Sequence, residues 1–232
     1  MSDRPTPDDV VRRLFLPDGS PYGLSSAYAA RSGSGKTHHL TYMVNRALKM
    51  KEFDDVRFIY LSIKQEDYFG IEPTSSIPNL FKRLGKEQLV VYYPSDPINY
   101  EAEVDYIIEE VFDMSDANED AKFVLLIDDV NVMDGFTSRG FVSPSVKKLV
   151  IAGRSKGIVG CFLCHRLGNL PRIMNGNISS LVVMAINPMD NAYGQKVFGI
   201  DFDTEIENLN NYRWIYADLI DEKTYRYAPV PE

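Results

Sequence analysis

Residues 25–50, SSAYAARSGSGKTHHLTYMVNRALKM, constrain the fold more than any other stretch of this 232-residue chain. A short apolar run ends in a Gly/Ser loop, ARSGSGKT, and a helical pattern begins at Lys36. Such a unit turns backbone N–H groups and the positive end of a helix toward one point, where a phosphate can bind. The pattern G-x-x-x-x-G-K-[ST] is matched except at its first glycine, where Ala30 stands. That position ends the strand and needs a small residue more than a positive φ, so we interpret the stretch as a phosphate-binding loop, or Walker A motif.

The residue types of this loop suit a nucleoside triphosphate. We expect the backbone of the loop to surround the β-phosphate, Lys36 to reach the β- and γ-phosphates, and the Thr37 hydroxyl to bind Mg²⁺. His38 and His39 should begin the exposed and the buried face of the helix. The predicted nucleotide-binding residues are Ser32, Gly33, Ser34, Gly35, Lys36, Thr37 and His38.

Buried strands alternate with helical patterns along the rest of the chain. We predict strands at SSAYAA, VRFIYLS, QLVVYYP, KFVLLIDDV, GIVGCFLCH and SSLVVMAI, and a closing hairpin from NYRWIYADLI and KTYRYAP. Helices are predicted at 36–50, 97–113 and 143–154, whereas 64–88 is polar and turn-rich. The pattern predicts an α/β fold with a mostly parallel sheet covered on both faces. We expect residues 1–24 to be an N-terminal arm or lead-in, with a helical turn at DDVVRRLF, and 25–232 to be one domain.

Two adjacent carboxylates follow the apolar run FVLLI. Asp128 should lie at the carboxyl end of that buried strand and hold the water shell of Mg²⁺. Asp129 would then face the γ-phosphate and could orient or deprotonate the attacking water. An acidic turn at a strand end is common alone, but after a phosphate-binding loop in the same chain it predicts a nucleoside triphosphate hydrolase.

The segment AGRSKGIVGCFLCHRLGNLPR supplies three further candidates for catalytic residues. His165 ends a buried strand at the same sheet edge as Asp128, where it either senses the γ-phosphate through water or caps a turn. Arg154 precedes that strand, and a strand of about seven residues spans more than 20 Å, too far to reach back. Arg154 therefore either acts on a neighbouring subunit's nucleotide or interacts with its own helix dipole. Arg172, in the loop after His165, is the second candidate for such an arginine finger.

Charge is distributed unevenly along the chain. The formal net charge is −8, which argues against a protein that coats nucleic acid over its whole surface. The stretch between Asp134 and Asp190 contains no acidic residue and carries +7, so the remainder carries −15. This asymmetry either marks a positive surface for DNA or follows from the buried strands in the segment. Its basic residues are Arg139, Lys147, Lys148, Arg154, Lys156, Arg166 and Arg172.

Other compositional features limit the class of protein. No apolar run approaches the roughly 18 residues of a membrane span, and the polar, acidic start MSDRPTPDDVVRR is unlike a secretory signal. Cys161 and Cys164 lie three residues apart in a strand pattern, so they should point to opposite faces and stay reduced.

Together these motifs resemble those of the FtsK–HerA superfamily of DNA-pumping ATPases, and within it the poxvirus-like packaging ATPases of tailless double-stranded DNA viruses. The resemblance covers about residues 25–218 and rests on GSGKT, LLIDDVNVM, AGRSKGIVGCFLCHR and NGNISSLVVM. Cellular members usually have Glu where Asp129 stands, whereas the poxvirus-like branch has Asp; the usual sensor is Gln, where this chain has His165.

The resemblance implies a RecA-like ATPase that uses ATP and Mg²⁺ and drives double-stranded DNA into a viral capsid. It also implies a homo-oligomeric ring, a hexamer or pentamer, with a capsid or vertex protein as partner, in the host cytoplasm or the virion. Two other classes of P-loop protein remain as alternatives. A nucleotide or small-molecule kinase would need an Arg-rich lid that the sequence does not show, and a phage assembly factor of this class usually carries a membrane span.

Overall fold

A computed structural model describes residues 4–18, 20, 23–64, 68–96, 100–130, 143–185, 188–200 and 212–231. Within these residues eight strands form one sheet. The strands are β1 (Ser25–Ala30), β2 (Val56–Leu61), β3 (Leu89–Tyr92), β4 (Lys122–Ile127), β5 (Ile158–Cys164), β6 (Ile178–Met184), β7 (Trp214–Asp218) and β8 (Lys223–Tyr227).

The sheet order is β3-β2-β4-β5-β1-β6-β7-β8. The first six strands in this order run parallel, and β6–β7 and β7–β8 pair antiparallel. β1 therefore lies between β5 and β6, and β4 lies beside β5. In a parallel sheet the carboxyl ends of these strands meet at one edge, where ligands of open α/β sheets bind. The predicted α/β fold, the parallel sheet and the closing hairpin are confirmed.

Helices cover both faces of the sheet. They are α1 (Pro7–Phe15), α2 (Lys36–Ala47), α3 (Ile77–Leu84), α4 (Tyr100–Ala117), α5 (Pro144–Ala152) and α6 (Pro188–Phe198). Buried residues of α1 and α2 share one core cluster with Tyr28 of β1, whereas those of α3, α4 and α5 share a second cluster with Ala27 and Ala29. Alternate residues of one strand thus face opposite cores, which is why the parallel strands are apolar throughout.

The N-terminal lead-in forms part of the first core. The side chain of Thr6 caps α1, Asp9 completes a capping box, and Pro7 opens the helix. One face of the helix is fully buried and packs in the cluster that contains α2 and β1; its residues are Val10, Val11, Leu14 and Phe15. Each buried apolar side chain of this size contributes about 1.5–3 kcal/mol. The expected helical turn is thus a nine-residue helix that is integral to the core.

Some elements differ from their predictions. The stretch 64–88, read as turn-rich, contains α3, which Ser76 caps and which buries only Leu80 and Leu84. Its apolar residues Ile77, Leu80, Phe81 and Leu84 have the spacing of one helical face and all pack against the same core cluster, so the sequence does carry the signal for this helix. Cys161 and Cys164 are free, buried and in opposite clusters, as predicted. Among the described helices, none combines the length and the apolar character that a membrane crossing requires.

Candidate nucleotide site

The loop between β1 and α2 has the conformation of a phosphate cradle. Gly33 and Gly35 adopt φ values of 77° and 84°, which side-chain-bearing residues rarely adopt. The loop is tightened by Ser34, whose amide and hydroxyl both donate to the carbonyl of Arg31, at 3.3 and 2.6 Å. Ala30 is a buried strand residue paired with Met184 and does not have a positive φ. The missing first glycine therefore leaves the loop geometry intact.

Lys36 lies at the start of α2 and points into the protein. Its Nζ donates to Asp128 Oδ1 at 2.9 Å, and the lysine side chain is only 5% exposed. The lysine that we expect to reach the β- and γ-phosphates is therefore buried at the carboxyl edge of the sheet. A lysine ammonium this deeply buried needs an anion, and Asp128 provides it.

Asp128 is held by more groups than the sequence suggested. It is fully buried, and Tyr60 of β2 donates to its Oδ2 at 2.8 Å while the Asp129 amide donates to its Oδ1 at 2.9 Å. Burial acts to raise the pKa of Asp128, but the charge of Lys36 and the hydrogen bonds from Lys36 and Tyr60 outweigh burial and lower it below its usual value. Asp128 is thus an ionised carboxylate at the carboxyl edge of the sheet.

Tyr100 joins the ends of the two strands that carry these groups. Its hydroxyl lies 3.1 Å from the carbonyl of Leu61, the last residue of β2, and 3.0 Å from the carbonyl of Asp128. Burial raises the pKa of Tyr100 well above its ordinary value, so the phenol remains a donor. The first residue of α4 therefore fixes the spacing between β2 and β4 at this edge.

Asp129 lies between two lysines and a histidine. Its Oδ1 lies 2.8 Å from His165 Nε2 and 3.9 Å from Lys36 Nζ, and its Oδ2 lies 2.9 Å from Lys64 Nζ. The side chain is 3% exposed, but neither oxygen forms a contact with the angles of a hydrogen bond. Asp129 also adopts φ 50°, a conformation that costs free energy in a residue with a side chain. The strand end therefore presents a buried carboxylate whose oxygens can still accept hydrogen bonds.

His165 lies where its position in the sequence placed it. It follows β5 directly and contacts Asp129. The histidine at the end of GIVGCFLCH and the aspartates that follow FVLLI therefore meet at the carboxyl edge of the sheet. Lys64 was missed in the sequence, although it follows the end of β2 by three residues. A cleft of about 440 Å³ brings together the loop, Lys64 and His165. It is lined by Arg31, Ser32, Gly33, Gly35, Lys36, Thr37, His38, Lys64, Tyr68, His165 and Tyr212.

A second cavity of about 420 Å³ adjoins this cleft and shares Gly35, His38 and Tyr212 with it. Its other lining residues are His39, Met184, Pro229 and Val230. The cavity lining is mainly apolar, whereas polar groups supply a larger share of the cleft lining. A polar end joined to an apolar end matches a nucleotide, whose phosphates are charged and whose base is flat and apolar on its faces.

Arg154 and Arg172 occupy different positions relative to the phosphate-binding loop. Arg154 is exposed in the short 3-10 helix Gly153–Lys156, which precedes β5 and lies at the amino edge of the sheet. It is thus a full strand length from the loop of its own chain, as predicted. Arg172 is exposed in another 3-10 helix, Arg172–Gly176, between β5 and β6, and does not line the cleft.

The basic segment has counter-charges in space that are absent nearby in sequence. Lys148 pairs with Glu109 at 2.6 Å, Lys156 pairs with Asp116, and Arg166 Nε lies 3.4 Å from Asp190. Two of these acids belong to α4, which packs beside α5. The positive surface is therefore smaller than the sequence suggested. Among the basic residues of the segment, Lys147, Arg154 and Arg172 form no ion pair with a described acidic residue, and Arg139 lies outside the described residues.

The donor set suits Mg²⁺ bound together with phosphates. Mg²⁺ in nucleotide sites is held by one or two protein oxygens, phosphate oxygens and water. The Thr37 hydroxyl lines the cleft and the ionised Asp128 lies behind it. Within the described ranges no group of three or more His, Cys, Asp or Glu side chains could hold a metal ion alone.

Comparison with solved structures identifies the fold. The DNA-packaging ATPase B204 of Sulfolobus turreted icosahedral virus superposes with a TM-score of 0.70 at 16% identity, over 90% of this chain and 98% of that chain. The fold is that of a P-loop ATPase. The genome-packaging NTPase B204 of Sulfolobus turreted icosahedral virus 2, in complex with AMPPCP, gives a TM-score of 0.67 at 16% identity, over 89% of this chain and 98% of that chain.

A larger protein shares the fold over part of its length. ATPases 2 and 3 of EssC from Geobacillus thermodenitrificans give a TM-score of 0.58 at 10% identity, over 90% of this chain but 39% of that chain. No protein-family model matches the sequence, and no curated protein matches it. The resemblance noted from the motifs is thereby confirmed at the level of the fold.

Proposed function

We propose that this chain hydrolyses ATP and, as a homo-oligomeric ring, moves double-stranded DNA into a viral capsid. The observation that carries the hydrolase part is the pair of buried carboxylates Asp128 and Asp129 beside Lys36 at the mouth of the phosphate-binding loop. The packaging part is supported by the likeness to B204, whose two structures are described as a DNA-packaging ATPase and a genome-packaging NTPase.

In this proposal ATP lies across the cleft and the adjoining cavity. The β-phosphate accepts hydrogen bonds from the loop backbone, and Lys36 leaves Asp128 to contact the β- and γ-phosphates. The base enters the apolar cavity beside Tyr212. Mg²⁺ would be held by Thr37 and, through water, by Asp128, and it would neutralise phosphate charge.

Hydrolysis then follows from the position of Asp129. Water attacks the γ-phosphorus and transfers a proton to the Asp129 carboxylate, while the bond from the γ-phosphorus to the β–γ bridging oxygen breaks and ADP leaves. His165, 2.8 Å from Asp129, orients that carboxylate and senses the phosphate. Arg154 supplies positive charge to the nucleotide of the neighbouring subunit, with Arg172 as the second candidate.

The proposal also extends to assembly. We propose a ring of five or six subunits, each with one ATPase domain at 25–232 and residues 1–24 as its lead-in. The ring would bind a capsid or vertex protein and act in the host cytoplasm or in the virion.

DNA-stimulated turnover tests the proposed function directly. ATP hydrolysis should rise when linear double-stranded DNA is added to the purified protein, and the phosphate should appear as free inorganic phosphate. Transfer of the phosphate to an acceptor would favour a kinase instead. Hydrolysis that DNA does not change would favour a motor for another substrate, such as a phage assembly factor.

In the basic segment between Asp134 and Asp190, we expect the residues without an ion pair to contact DNA. Lys147 and Arg172 are exposed, whereas Lys148 and Lys156 are paired with acids of α4. Replacing Lys147 and Arg172 by glutamine should reduce the salt dependence of DNA affinity, because each lost phosphate contact removes released counterions. The same change at Lys148 and Lys156 should have a smaller effect. Equal slopes for the two double variants would remove the segment from the DNA interface.

A further inference from the structure

We propose that Lys64 contacts the γ-phosphate of ATP from within the same subunit, and that it holds Asp129 by an ion pair until the nucleotide arrives. The inference rests on the proposed function and deepens it, because it assigns the discrimination between ATP and ADP to one residue. Lys64 Nζ lies 2.9 Å from Asp129 Oδ2, and Lys64 lines the same cleft as the loop residues Gly35 and Lys36.

The local structure places Lys64 and Asp129 together. β2 and β4 pair in register up to Leu61 and Ile127, and the amide of Asp128 donates to the Leu61 carbonyl at 2.9 Å. Lys64 lies three residues beyond Leu61 and Asp129 lies two residues beyond Ile127, after both strands have ended, and the Lys64 amide donates to Ser62 Oγ at 3.1 Å. Tyr100 fixes both strand ends, so the lysine and the carboxylate meet because the backbone holds them there.

The site contains two lysine–aspartate pairs side by side. Lys36 pairs with Asp128 at 2.9 Å, and Lys64 pairs with Asp129 at 2.9 Å. The loop and Lys36 already serve the β-phosphate, which ATP and ADP share. Lys64 and Arg31 are further cations in the cleft, and of these two Lys64 pairs with the carboxylate proposed to face the γ-phosphate.

Exposure indicates which partner of the second pair can move. The Lys64 side chain is 36% exposed, whereas that of Asp129 is 3% exposed. Lysine is a point charge on a flexible four-carbon stem, so it can turn from a carboxylate to a phosphate without backbone change. Asp129 keeps His165 as its neighbour when Lys64 leaves.

The movement of Lys64 from Asp129 to the γ-phosphate couples ATP binding to hydrolysis. A carboxylate paired with an ammonium group is a weaker base than one released from it, because the positive charge stabilises its ionised form. The γ-phosphate competes for Lys64 and so releases Asp129 only when a triphosphate is present. ADP has no γ-phosphate and leaves the pair of Lys64 and Asp129 in place.

The test compares the affinities of a non-hydrolysable ATP analogue and of ADP, measured by titration calorimetry with Mg²⁺. In Lys64→Met we expect the affinity for AMPPCP to fall at least about tenfold, the effect of one charged hydrogen bond, and that for ADP to stay within about twofold. Lys64→Arg should restore most of the AMPPCP affinity. Lys49 is an exposed lysine just after the end of α2. Lys49→Met is the matched control and should change neither the AMPPCP affinity nor the ADP affinity.

A second measurement guards against a structural effect of the substitution. Asp129→Asn should raise the AMPPCP affinity in the wild-type background, because Lys64 loses its ion pair with Asp129, and should have little effect in the Lys64→Met background. An unchanged ratio of AMPPCP to ADP affinity in Lys64→Met would overturn the proposal for Lys64. If the unmodified protein binds neither nucleotide, the proposed function itself fails, which is a different result.

Discussion

The two edges of the parallel sheet both carry ion pairs, but they differ in burial. At the carboxyl edge Lys36 and Asp128 are 5% and 0% exposed, whereas at the amino edge Lys156 and Asp116 are 44% and 54% exposed. Exposed pairs contribute at most about 1 kcal/mol to stability, whereas breaking a buried pair costs several kcal/mol. The ion pair beside the phosphate-binding loop is thus buried, whereas the pair of Lys156 and Asp116 faces solvent.

The largest expected effect follows from breaking the buried pair. Lys36→Met should abolish ATP turnover, because the β- and γ-phosphates lose the ammonium group that the loop is proposed to direct at both of them. It should also lower the free energy of unfolding by about 3 kcal/mol, because Asp128 loses its cation while it stays buried. Turnover and urea unfolding at pH 7 measure the two effects.

Lys156→Met is the control at the amino edge. It removes one partner of an exposed ion pair and should change the free energy of unfolding by less than about 1 kcal/mol and leave turnover unchanged. Similar losses of stability in both variants would show that burial does not distinguish the two edges.

The next prediction tests whether Arg154, at the amino edge of one subunit, contacts the nucleotide bound at the carboxyl edge of a neighbouring subunit. Arg154→Ala should be inactive alone if Arg154 acts on a neighbouring subunit's nucleotide. Mixed with Lys36→Ala subunits it should recover partial turnover, because some interfaces then join an intact loop to an intact arginine. Full activity of Arg154→Ala alone would show that Arg154 does not act on the neighbouring subunit's nucleotide. Arg172 would then be the remaining candidate for this contact.

A smaller effect concerns two adjacent histidines next to the loop. His39 is fully buried against Trp214, its ring nitrogens have no hydrogen-bond partner, and burial lowers its pKa to about 3. Between that value and the ordinary pKa near 6.5 the unfolded chain binds one proton more than the folded chain, so stability rises with pH. From pH 7 to pH 5 this group should cost about 2 kcal/mol.

Urea unfolding at several pH values checks that expectation. His39→Leu should remove the corresponding part of the pH dependence between pH 5 and 7, whereas His38→Gln, at an exposed neighbour, should retain it. A pH dependence that is identical in wild type and His39→Leu would contradict the burial argument.

Much of the fold could be predicted because parallel strands are buried on both faces and therefore apolar throughout. The runs SSAYAA, KFVLLI and IVGCFLC all became strands, and the motifs at their ends met at one edge. Helix α3 was missed because it is only eight residues long, although Ile77, Leu80, Phe81 and Leu84 have helical spacing.

The predicted site was incomplete where it depends on contacts across the sheet. Tyr60, Tyr100 and Lys64 converge on the two aspartates from β2, from α4 and from the turn after β2. Nothing in their local sequence marks them as polar partners of a distant carboxylate. Lys64 could have been found by the rule that located Asp128 and His165, since it too follows the end of a buried strand.

The central claim is that the carboxyl edge hydrolyses ATP and that Asp129 accepts the proton. The most direct measurement is single-turnover hydrolysis by Asp129→Asn with Mg²⁺, together with its affinity for AMPPCP. We predict that the variant binds AMPPCP at least as tightly as wild type and hydrolyses ATP about 10²-fold or more slowly, the effect of losing a general base. Normal hydrolysis by Asp129→Asn would contradict the account.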